Sequence, residues 1–372
     1  MQLKIALLGG DGIGPEVLAQ SVKCLQAVSE TFSHDFTFPK ASVGAVAMEK
    51  WGTPLPEKTL ELCADSDAVL FGTIGTPKYD NDPDAPIRPE QGLLGLRQKL
   101  GLFANRRPVK MFPEIISNSP LREDLVRGTD FVIYRELTGG IYFGEKKLSQ
   151  DGSVASDICE YSEKEIGRIT HLAFKEAKKR RKKLTLVDKA NVLETSRLWR
   201  RVVINISRSY PEVGLECMYI DNAAVQLLLN PTNFDVILTD NMFGDMLSDQ
   251  GSVIIGSPGL LPSASIGEHH CMFEPVHGSY PKAKGQNKAN PVASILSTVL
   301  LLDHFGLKEE SNAVLASVRK SFQKKIVTPD ILGSSKYGTD YVGDFIADHI
   351  TDIDDDMNMN DENIGLGKST II

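Results

Sequence analysis

Residues 235–249 read Asp-Val-Ile-Leu-Thr-Asp-Asn-Met-Phe-Gly-Asp-Met-Leu-Ser-Asp, so a short apolar run ends in polar residues and a second, mixed segment follows. An apolar run of this length is typical of a buried strand, whereas the segment after it has helical spacing. In open α/β sheets, ligands bind at the carboxyl ends of the strands. The stretch therefore predicts a strand, a turn at the edge of a sheet and a helix, with polar side chains where chemistry takes place.

The same design recurs along the chain. Short apolar runs that close in polar or glycine residues occur at 3–8, 68–72, 131–136, 184–189 and 217–221. Amphipathic stretches lie between most of these runs, around 163–180, 192–208 and 291–304. Alternation of strands and helices predicts an α/β protein with substantial parallel pairing.

The composition excludes several classes of protein. The chain has 372 residues, of which 41% are hydrophobic and 24% charged, and these fractions are typical of globular proteins rather than disordered ones. Because single cores stop growing at roughly 250–300 residues, the length predicts two domains. No apolar run approaches the ~20 residues that cross a bilayer, and the run at 1–8 is too short for a signal-peptide core. We therefore expect a cytoplasmic protein without a membrane partner.

The charge balance argues against nucleic acid as a partner. The chain has 41 Lys and Arg against 49 Asp and Glu, which gives a formal net charge of −8. The densest basic run, residues 175–183, is typical of the solvated C-terminal end of a helix. The five cysteines are scattered and form no Cys-x-x-Cys pair, so the sequence predicts reduced thiols and no zinc site.

Two glycine-containing segments suggest close backbone approaches. Residues 10–15 read Gly-Asp-Gly-Ile-Gly-Pro, but a Gly-x-Gly-x-x-Gly fingerprint would require glycine where Pro15 or Val17 stands. We interpret the segment as a tight turn from a strand to a helix. The loop around His277 also contains glycine and is suited to the close approach of a cofactor.

Asp245 and Asp249 are four residues apart and share one face of the predicted helix. Like charges at this spacing repel by a few tenths of a kcal/mol, and a bound divalent cation would remove the repulsion. Oxygen ligands favour Mg²⁺ or Mn²⁺. A solvated acidic face is the alternative interpretation. Asp221, at the end of another predicted strand, is a candidate for a third carboxylate.

Other polar residues are candidates for catalysis or anion binding. Lys189 follows a predicted strand and would act as a general base if its pKa were depressed, with a surface salt bridge as the alternative. Tyr142 lies among glycine-rich turns and is a candidate proton donor. Arg97, Arg107 and Arg135 are candidates for bidentate carboxylate binding, although single arginines mostly face solvent.

Taken in order, these motifs resemble the isocitrate and isopropylmalate dehydrogenase family of β-decarboxylating dehydrogenases. The resemblance runs from Lys4 to about Asp344. It is carried by residues 10–16, 88–97, 104–108, 135–144, 187–194, 241–249, and 273–279 with 289–291.

The resemblance implies a two-domain α/β fold with a mixed sheet that is not a Rossmann fold. It assigns residues 1–103 and 256–372 to a discontinuous, cofactor-side first domain with a C-terminal tail from about 351. Residues 104–255 would form the second domain, which dimerises and carries a β-arm that we expect within 136–160. The partner would then be a second copy of the chain that shares its active sites.

The resemblance also implies roles for individual residues. The family oxidises a 2-hydroxyacid with a nicotinamide cofactor and then releases CO₂ from the β-carboxylate. Tyr142 and Lys189 match the catalytic proton donor and base. Substrate contacts match Leu93, Leu94, Arg97, Arg107, Arg135 and Asp221. Asp245, Asp249 and Asp221 match the ligands of Mg²⁺ or Mn²⁺. The resemblance implies that the second subunit supplies Asp221, and that it supplies Lys189 as well. NAD contacts match Thr76, Glu90, Gly259, Glu274, His277, Gly278, Ser279 and Asn290.

Leu93 and Leu94 bear on the choice of substrate within the family. The resemblance places both leucines where isopropylmalate enzymes receive the isopropyl group, and an apolar wall gains ~1–3 kcal/mol from such a branched alkyl group. The resemblance therefore implies 3-isopropylmalate as the substrate and a step of leucine biosynthesis. Isocitrate, tartrate or another malate derivative is the alternative substrate, and a non-catalytic regulatory subunit is the alternative of another class. Lys282 stands where NAD-preferring relatives often carry aspartate, so NADP is the alternative to NAD.

Overall fold

A computed structural model describes residues 1–82 and 85–351, and within them most strands form one large sheet. The strands are β1 (Gln2–Gly10), β2 (Asp35–Thr37), β3 (Lys40–Ala41), β4 (Ala68–Thr73), β5 (Ala104–Lys110), β6 (Asp130–Glu136), β7 (Lys146–Leu148), β8 (Ala155–Asp157), β9 (Lys183–Asp188), β10 (Gly214–Tyr219), β11 (Val236–Thr239), β12 (Pro262–Ile266) and β13 (Cys271–Pro275).

Helices cover the sheet and connect its strands. They are α1 (Gly14–Thr31), α2 (Ala45–Trp51), α3 (Glu57–Ala64), α4 (Pro77–Asp80), α5 (Glu90–Lys99), α6 (Glu123–Val126), α7 (Glu163–Lys179), α8 (Glu194–Ser207), α9 (Ile220–Leu229), α10 (Asn241–Ile254), α11 (Val292–His304), α12 (Lys308–Gln323) and α13 (Thr339–Thr351). None of the helices in this described part is both long and apolar enough to cross a membrane.

The strand order of the sheet is β10-β9-β11-β6-β5-β12-β13-β4-β1-β2, with β3 also paired to β1. Most neighbours are parallel, but β5 is antiparallel to both β6 and β12, and β12 is antiparallel to β13. The predicted α/β fold with a mixed sheet is therefore confirmed. Strands from 104–255 occupy one half of the order, and the two halves meet at the β5–β12 pair. The division into two domains remains a prediction.

The predicted apolar runs and amphipathic stretches lie in strands and helices as expected. The three stretches predicted to be amphipathic became α7, α8 and α11. The amphipathic pattern was wrong for α11, which is buried on all sides from Val292 to Leu302. Ser162 caps α7 with its side chain and forms a capping box with Glu165, which explains why the helix begins there.

Two local predictions were wrong. Asp221 does not end a strand, because β10 ends at Tyr219 and Asp221 lies in the first turn of α9. The basic run at 175–183 is not solvated throughout. The Arg180 guanidinium is only 8% exposed because it pairs with Asp235 at 2.8 Å and Asp130 at 2.6 Å.

The turn between β1 and α1 is tight, as predicted. Gly10 and Gly12 have φ angles of 68° and 57°, a region that favours glycine. A Cβ atom at Gly12 would lie 2.0 Å from the carbonyl oxygen of Ser279. The turn therefore packs directly against the loop that follows β13.

The predicted β-arm contains a hairpin, in which β7 pairs antiparallel with β8. Its side chains are exposed along both strands. The predicted C-terminal tail lies outside the described residues beyond Thr351.

Candidate active site

A cavity of about 360 Å³ opens where the two halves of the sheet meet. Strands β5 and β6 and helix α10 contribute residues from one half, and α5 and β13 contribute residues from the other. It collects eleven of the predicted site residues, namely Glu90, Leu93, Leu94, Arg97, Arg107, Arg135, Tyr142, Asp245, Glu274, His277 and Gly278.

Asp245 is the centre of the charged network in the cavity. One of its carboxylate oxygens accepts hydrogen bonds from Arg107 Nη1 at 3.2 Å and from Arg135 Nη1, and the other accepts from Tyr142 Oη at 3.2 Å. Burial raises the pKa of Asp245, but Arg135, Arg107 and Arg97 outweigh burial and hold that pKa below its usual range. The carboxylate is therefore ionised at neutral pH.

Arg107 and Arg135 are buried and crowd each other. Burial lowers the pKa of both guanidinium groups, and the neighbouring arginines lower it further. Asp245 offsets this effect only in part. A bound dianion would relieve the crowding, so the site is electrostatically suited to a dicarboxylate.

Two residues that the sequence analysis missed position Arg135. Asn241 Oδ1 accepts hydrogen bonds from Arg135 Nε at 3.0 Å and from Arg135 Nη2 at 2.8 Å. A Cβ atom at Gly244 would lie 2.7 Å from the Arg135 side chain, so glycine allows the arginine to lie against α10. No sequence signal indicates that these two residues position an arginine. Both lie within the acidic motif at 241–249, in which the aspartates are the residues that indicate a function.

Arg97 and the two leucines form the opposite wall. Arg97 Nη2 donates to Glu274 Oε1 at 2.8 Å, and both side chains are 7% exposed. Arg97 Nε is buried and has no hydrogen-bond partner among the described residues. Leu93 and Leu94 extend from the same helix into the cavity lining and are half-buried. This wall therefore combines the Arg97 Nε donor, which has no partner among the described residues, with the apolar surface of the two leucines.

Tyr142 keeps its proton at neutral pH. Burial raises the pKa of its hydroxyl, and Asp245 raises it further. The Arg135 guanidinium lies 5.7 Å from the centre of the tyrosine ring. Tyr142 is therefore a proton donor that faces the cavity.

His277 offers an unsatisfied acceptor at the cofactor side. Its Nδ1 lies 3.0 Å from the Gly278 carbonyl oxygen, and burial lowers the pKa of the imidazole, so the ring is neutral with the proton on Nδ1. Its Nε2 is buried and has no partner in the described part of the chain. An amide or hydroxyl group of a ligand would donate a hydrogen bond to that nitrogen. Space for a ligand is available at Gly278, because a Cβ atom built there would have no neighbour within 4 Å. The residues present thus fit a polar cofactor.

The other predicted cofactor residues lie outside the cavity lining. Thr76 precedes α4, and Ser279 packs against the first turn. Position 259 has no room for a side chain, because a Cβ atom at Gly259 would lie 2.6 Å from Asn290 Cβ. Asn290 donates to Asp330 at 3.0 Å, and the Asp330 charge also acts on His277. Asp330 is a further residue of this region that sequence reasoning missed.

Asp249 fits an exposed metal ligand. It lies one turn after Asp245 on α10, is exposed, and its carboxylate has no hydrogen-bond partner among residues 1–82 and 85–351. Burial and the Asp245 charge raise its pKa. These two carboxylates suit a divalent cation, but no group of three or more acidic, histidine or cysteine residues gathers in the described part of one chain. Water, substrate or a residue from elsewhere would complete the coordination of the cation.

Lys189 and Asp221 do not reach the cavity of their own chain. Instead Lys189 Nζ lies 2.5 Å from Asp221 Oδ1, where the side chains are 28% and 67% exposed. The Lys189 hydrogen bond lowers the pKa of Asp221. The two residues therefore form an exposed pair at the carboxyl ends of β9 and β10, apart from the arginines.

Asp240, which caps α10, gives a prediction about stability. Burial raises its pKa from 3.8 to about 7, and Glu136 and Asp188 act in the same direction. Because the folded state holds the proton more tightly, stability falls as the pH rises from about 4 to about 7. We expect Asp240→Asn, which keeps the capping oxygen, to unfold like the wild type at pH 4 and to gain about 4 kcal/mol at pH 8. Urea unfolding at both pH values measures the difference. A difference that does not change with pH would contradict the assignment.

Known proteins are similar to this chain over nearly its whole length. A sequence profile of the isocitrate/isopropylmalate dehydrogenase family matches residues 4–346. The 3-isopropylmalate dehydrogenase of Bacteroides fragilis is 52% identical over 352 residues, which covers 94% of this chain and 99% of that protein. The 3-isopropylmalate dehydrogenase of Aquifex aeolicus is 46% identical over 358 residues, which covers 95% of this chain and 98% of that protein.

Among solved structures, the crystal structure of isocitrate dehydrogenase from Methylococcus capsulatus superposes with a TM-score of 0.85 at 32% sequence identity. The match covers 94% of this chain and 99% of that one. The family profile, which runs from residue 4 to 346, includes every residue that lines the cavity.

Proposed function

The chain belongs to the isocitrate/isopropylmalate dehydrogenase family, and from this membership we propose that it catalyses the NAD-dependent oxidative decarboxylation of 3-isopropylmalate to 2-oxoisocaproate in leucine biosynthesis. It is an oxidoreductase of the β-decarboxylating type. The observation that carries the substrate is the juxtaposition of two leucines and three arginines in one cavity. The cytoplasmic location remains a prediction.

The three arginines bind the two carboxylates of the malate group. Arg107 and Arg135 are held by Asp245 and Asn241, so their donors are fixed before the substrate arrives. Arg97 contributes the Nε donor that has no protein partner. The isopropyl group packs against Leu93 and Leu94, where an extra carboxylate, as in isocitrate, would lose its hydration without gaining a partner.

Proton transfer is divided between two residues. Lys189 accepts the proton of the C2 hydroxyl as the alcohol is oxidised. Tyr142, whose raised pKa keeps it protonated, donates a proton to carbon after CO₂ has left. Asp245 accepts the Tyr142 hydrogen bond and thereby orients the hydroxyl.

The chain's residues support two bound groups. Asp245 and Asp249, with Asp221 of a second subunit, would hold Mg²⁺ or Mn²⁺. His277 Nε2, Gly278, Glu90 and Glu274 would contact NAD at the cavity, and Thr76, Ser279, Gly259 and Asn290 would contact it further along. When bound, the cation supplies Lewis acidity at the C2 oxygen, and NAD accepts the hydride.

A homodimer accounts for the position of Lys189 and Asp221. Both are absent from the lining of the cavity of their own chain, and in the proposed reaction a second copy supplies them. Helices α9 and α10, which pack together, also expose apolar side chains that would suit an interface. These are Val225, Leu228, Leu229, Met246 and Val253.

Formation of reduced nicotinamide tests the proposal. We expect 3-isopropylmalate to be oxidised at least about tenfold more efficiently than isocitrate, in line with the ~1–3 kcal/mol that an apolar pocket discriminates. Leu94→Ser should reduce that preference by raising the KM for 3-isopropylmalate. Leu332→Ser, at an exposed leucine outside the cavity, is the matched control. Faster turnover of isocitrate by the wild type would overturn the substrate assignment, and a preference for NADP would show that Lys282 selects the cofactor.

A further inference from the structure

A second cavity, of about 490 Å³, lies towards the other end of strands β5 and β6 from the proposed active site. It contains Asp130, the first residue of β6, and Lys110, the residue paired with Asp130 at the end of β5. Arg107 and Lys110, which line the two cavities, are three residues apart on β5, so roughly 10 Å of strand separates them. This basic cavity lies between helix α12 and strands β5 and β6. It has no part in the proposed reaction.

Cations dominate the polar lining of the basic cavity. Its positively charged residues are Lys110, Arg127, Arg181 and Arg319. Asp130 is the acidic member of the lining, and its carboxylate already accepts a hydrogen bond from Arg180 at 2.6 Å. The lining therefore has a surplus of positive charge.

The arginines retain donors beyond their existing ion pairs. Arg127 Nη2 donates to Glu123 at 3.2 Å in an exposed pair, and Arg319 Nε donates to Glu114 at 2.8 Å. A guanidinium group carries five N–H donors, so one carboxylate contact leaves most of them for another acceptor. The Arg127–Glu123 pair is exposed, so it contributes little to stability and yields readily to a ligand.

Thr129 is an independent sign that a ligand is missing. It lines the basic cavity and is 1% exposed, yet its hydroxyl has no hydrogen-bond partner among the described residues. Buried hydroxyl groups almost always have partners. Burial also lowers the pKa of the neighbouring Lys110, an effect to which Arg180 and Arg319 add. An oxyanion in the cavity would accept from the hydroxyl and reverse the effect on the lysine.

The other wall of the basic cavity is apolar. It is formed by Met111, Phe112, Pro113, Ile116 and Leu315. Phe112 is fixed by an edge-on contact with Phe322, with ring centres 5.2 Å apart. A ligand that fills the cavity must therefore combine a charged end with a hydrocarbon group.

We propose that the basic cavity binds a small organic oxyanion, a phosphate or a carboxylate carried on an apolar group. The oxyanion lies among Lys110, Arg127, Arg319 and the Thr129 hydroxyl, and the apolar group packs against Phe112 and Leu315. The volume is within the range of small-ligand pockets. The proposal does not depend on the dehydrogenase assignment.

Calorimetric titration of the full-length protein tests the site. The probes are 4-bromophenyl phosphate, 4-bromobenzoate, inorganic phosphate and the neutral 4-bromobenzyl alcohol. We expect saturable binding of one or both bromoaryl anions, at least about tenfold tighter than the alcohol or inorganic phosphate, because each lacks half of the recognised chemistry. The two bromoaryl anions together show whether phosphate or carboxylate is preferred. Anomalous scattering from bromine in crystals grown with the tighter probe then places it in one cavity or the other.

Two substitutions and a control separate this site from the active site. Thr129→Val keeps the shape and removes only the unpartnered hydroxyl, so the protein should fold normally and bind about fivefold more weakly. Lys110→Gln should weaken binding at least about tenfold. Arg201→Gln, in an exposed pair with Glu163 that resembles the Arg127–Glu123 pair, should change nothing. Absence of saturable binding, a bromine peak among Arg97, Arg107 and Arg135, or unchanged affinity in both variants would overturn the proposal.

Discussion

Two inactive variants, Lys189→Met and Tyr142→Phe, are expected to restore about a quarter of the wild-type activity when they are unfolded and refolded together. Each alone removes a proton-transfer group, and the loss of Lys189 should lower kcat by about 10²–10⁴-fold. Activity can return only if the two groups come from different chains. The measurement is NADH formation from 3-isopropylmalate before and after mixing.

The expected quarter follows from how the residues are placed. Tyr142 lines the cavity of its own chain, whereas Lys189 is held away from that cavity by Asp221 at 2.5 Å. In a mixed dimer, one active site therefore carries both substitutions and the other carries neither. Random assortment makes about half of the dimers mixed, and half of their sites are intact.

A matched control lies at the other end of the same two strands. Lys183 begins β9 and pairs with Glu216 of β10 at 3.0 Å, with side chains 42% and 43% exposed. Lys183→Met removes a similar lysine–carboxylate pair without touching the proposed site, so it should keep full activity. If mixing the two inactive variants gives no recovery although mixed dimers form, Lys189 does not act across the interface.

The sequence was most informative where apolar residues form a continuous run. Runs such as 68–72 and 131–136 predicted strands because a continuous apolar stretch of this length must be buried. β5 was different, since it contains Asn105, Arg106 and Arg107, which are 0%, 5% and 4% exposed. No pattern rule assigns three consecutive polar residues to a buried central strand. Their partners, such as Glu176 for Arg106 and Asp245 for Arg107, come from distant parts of the chain.

Motifs identified the candidate site residues. No motif identified the residues that hold them in position. Arg97, Arg107, Arg135, Tyr142 and Asp245 meet in one cavity, as the resemblance implied. The spacing of these residues along the sequence does not show which acidic side chain pairs with which arginine. The basic cavity also gave no sequence signal, because its cations come from four separate segments that only the tertiary fold brings together.

Metal dependence supplies the other large expected effect. We expect Asp249→Asn to lose Mg²⁺-dependent activity by at least about 10²-fold and to lose most of the stabilisation that Mg²⁺ gives the wild type. Ligand at 100 times its Kd stabilises a folded protein by about 2.7 kcal/mol. Thermal unfolding with a chelator and with Mg²⁺ measures this gain separately from turnover. Inactivation by chelator that Mg²⁺ or Mn²⁺ reverses is expected for the wild type.

The structural basis is the contrast between the two aspartates. Asp245 is engaged by Arg107, Arg135 and Tyr142, so replacing it would disturb substrate binding as well as metal binding. Asp249 has no hydrogen-bond partner in the described part of the chain, and burial together with the Asp245 charge raises its pKa. Its loss removes a repulsion, so without metal the variant should be at least as stable as the wild type.

A second pair of aspartates at the same helical spacing provides the control. Asp344 and Asp348 are four residues apart on α13, both are exposed, and Asp344 pairs with Lys23. Asp348→Asn should therefore change neither activity nor the stabilisation by Mg²⁺. Asp221→Asn should reproduce the loss seen with Asp249→Asn, since in the proposed dimer the carboxylates of both subunits hold the cation. Equal stabilisation by Mg²⁺ in the wild type and in Asp249→Asn would show that the cation binds elsewhere.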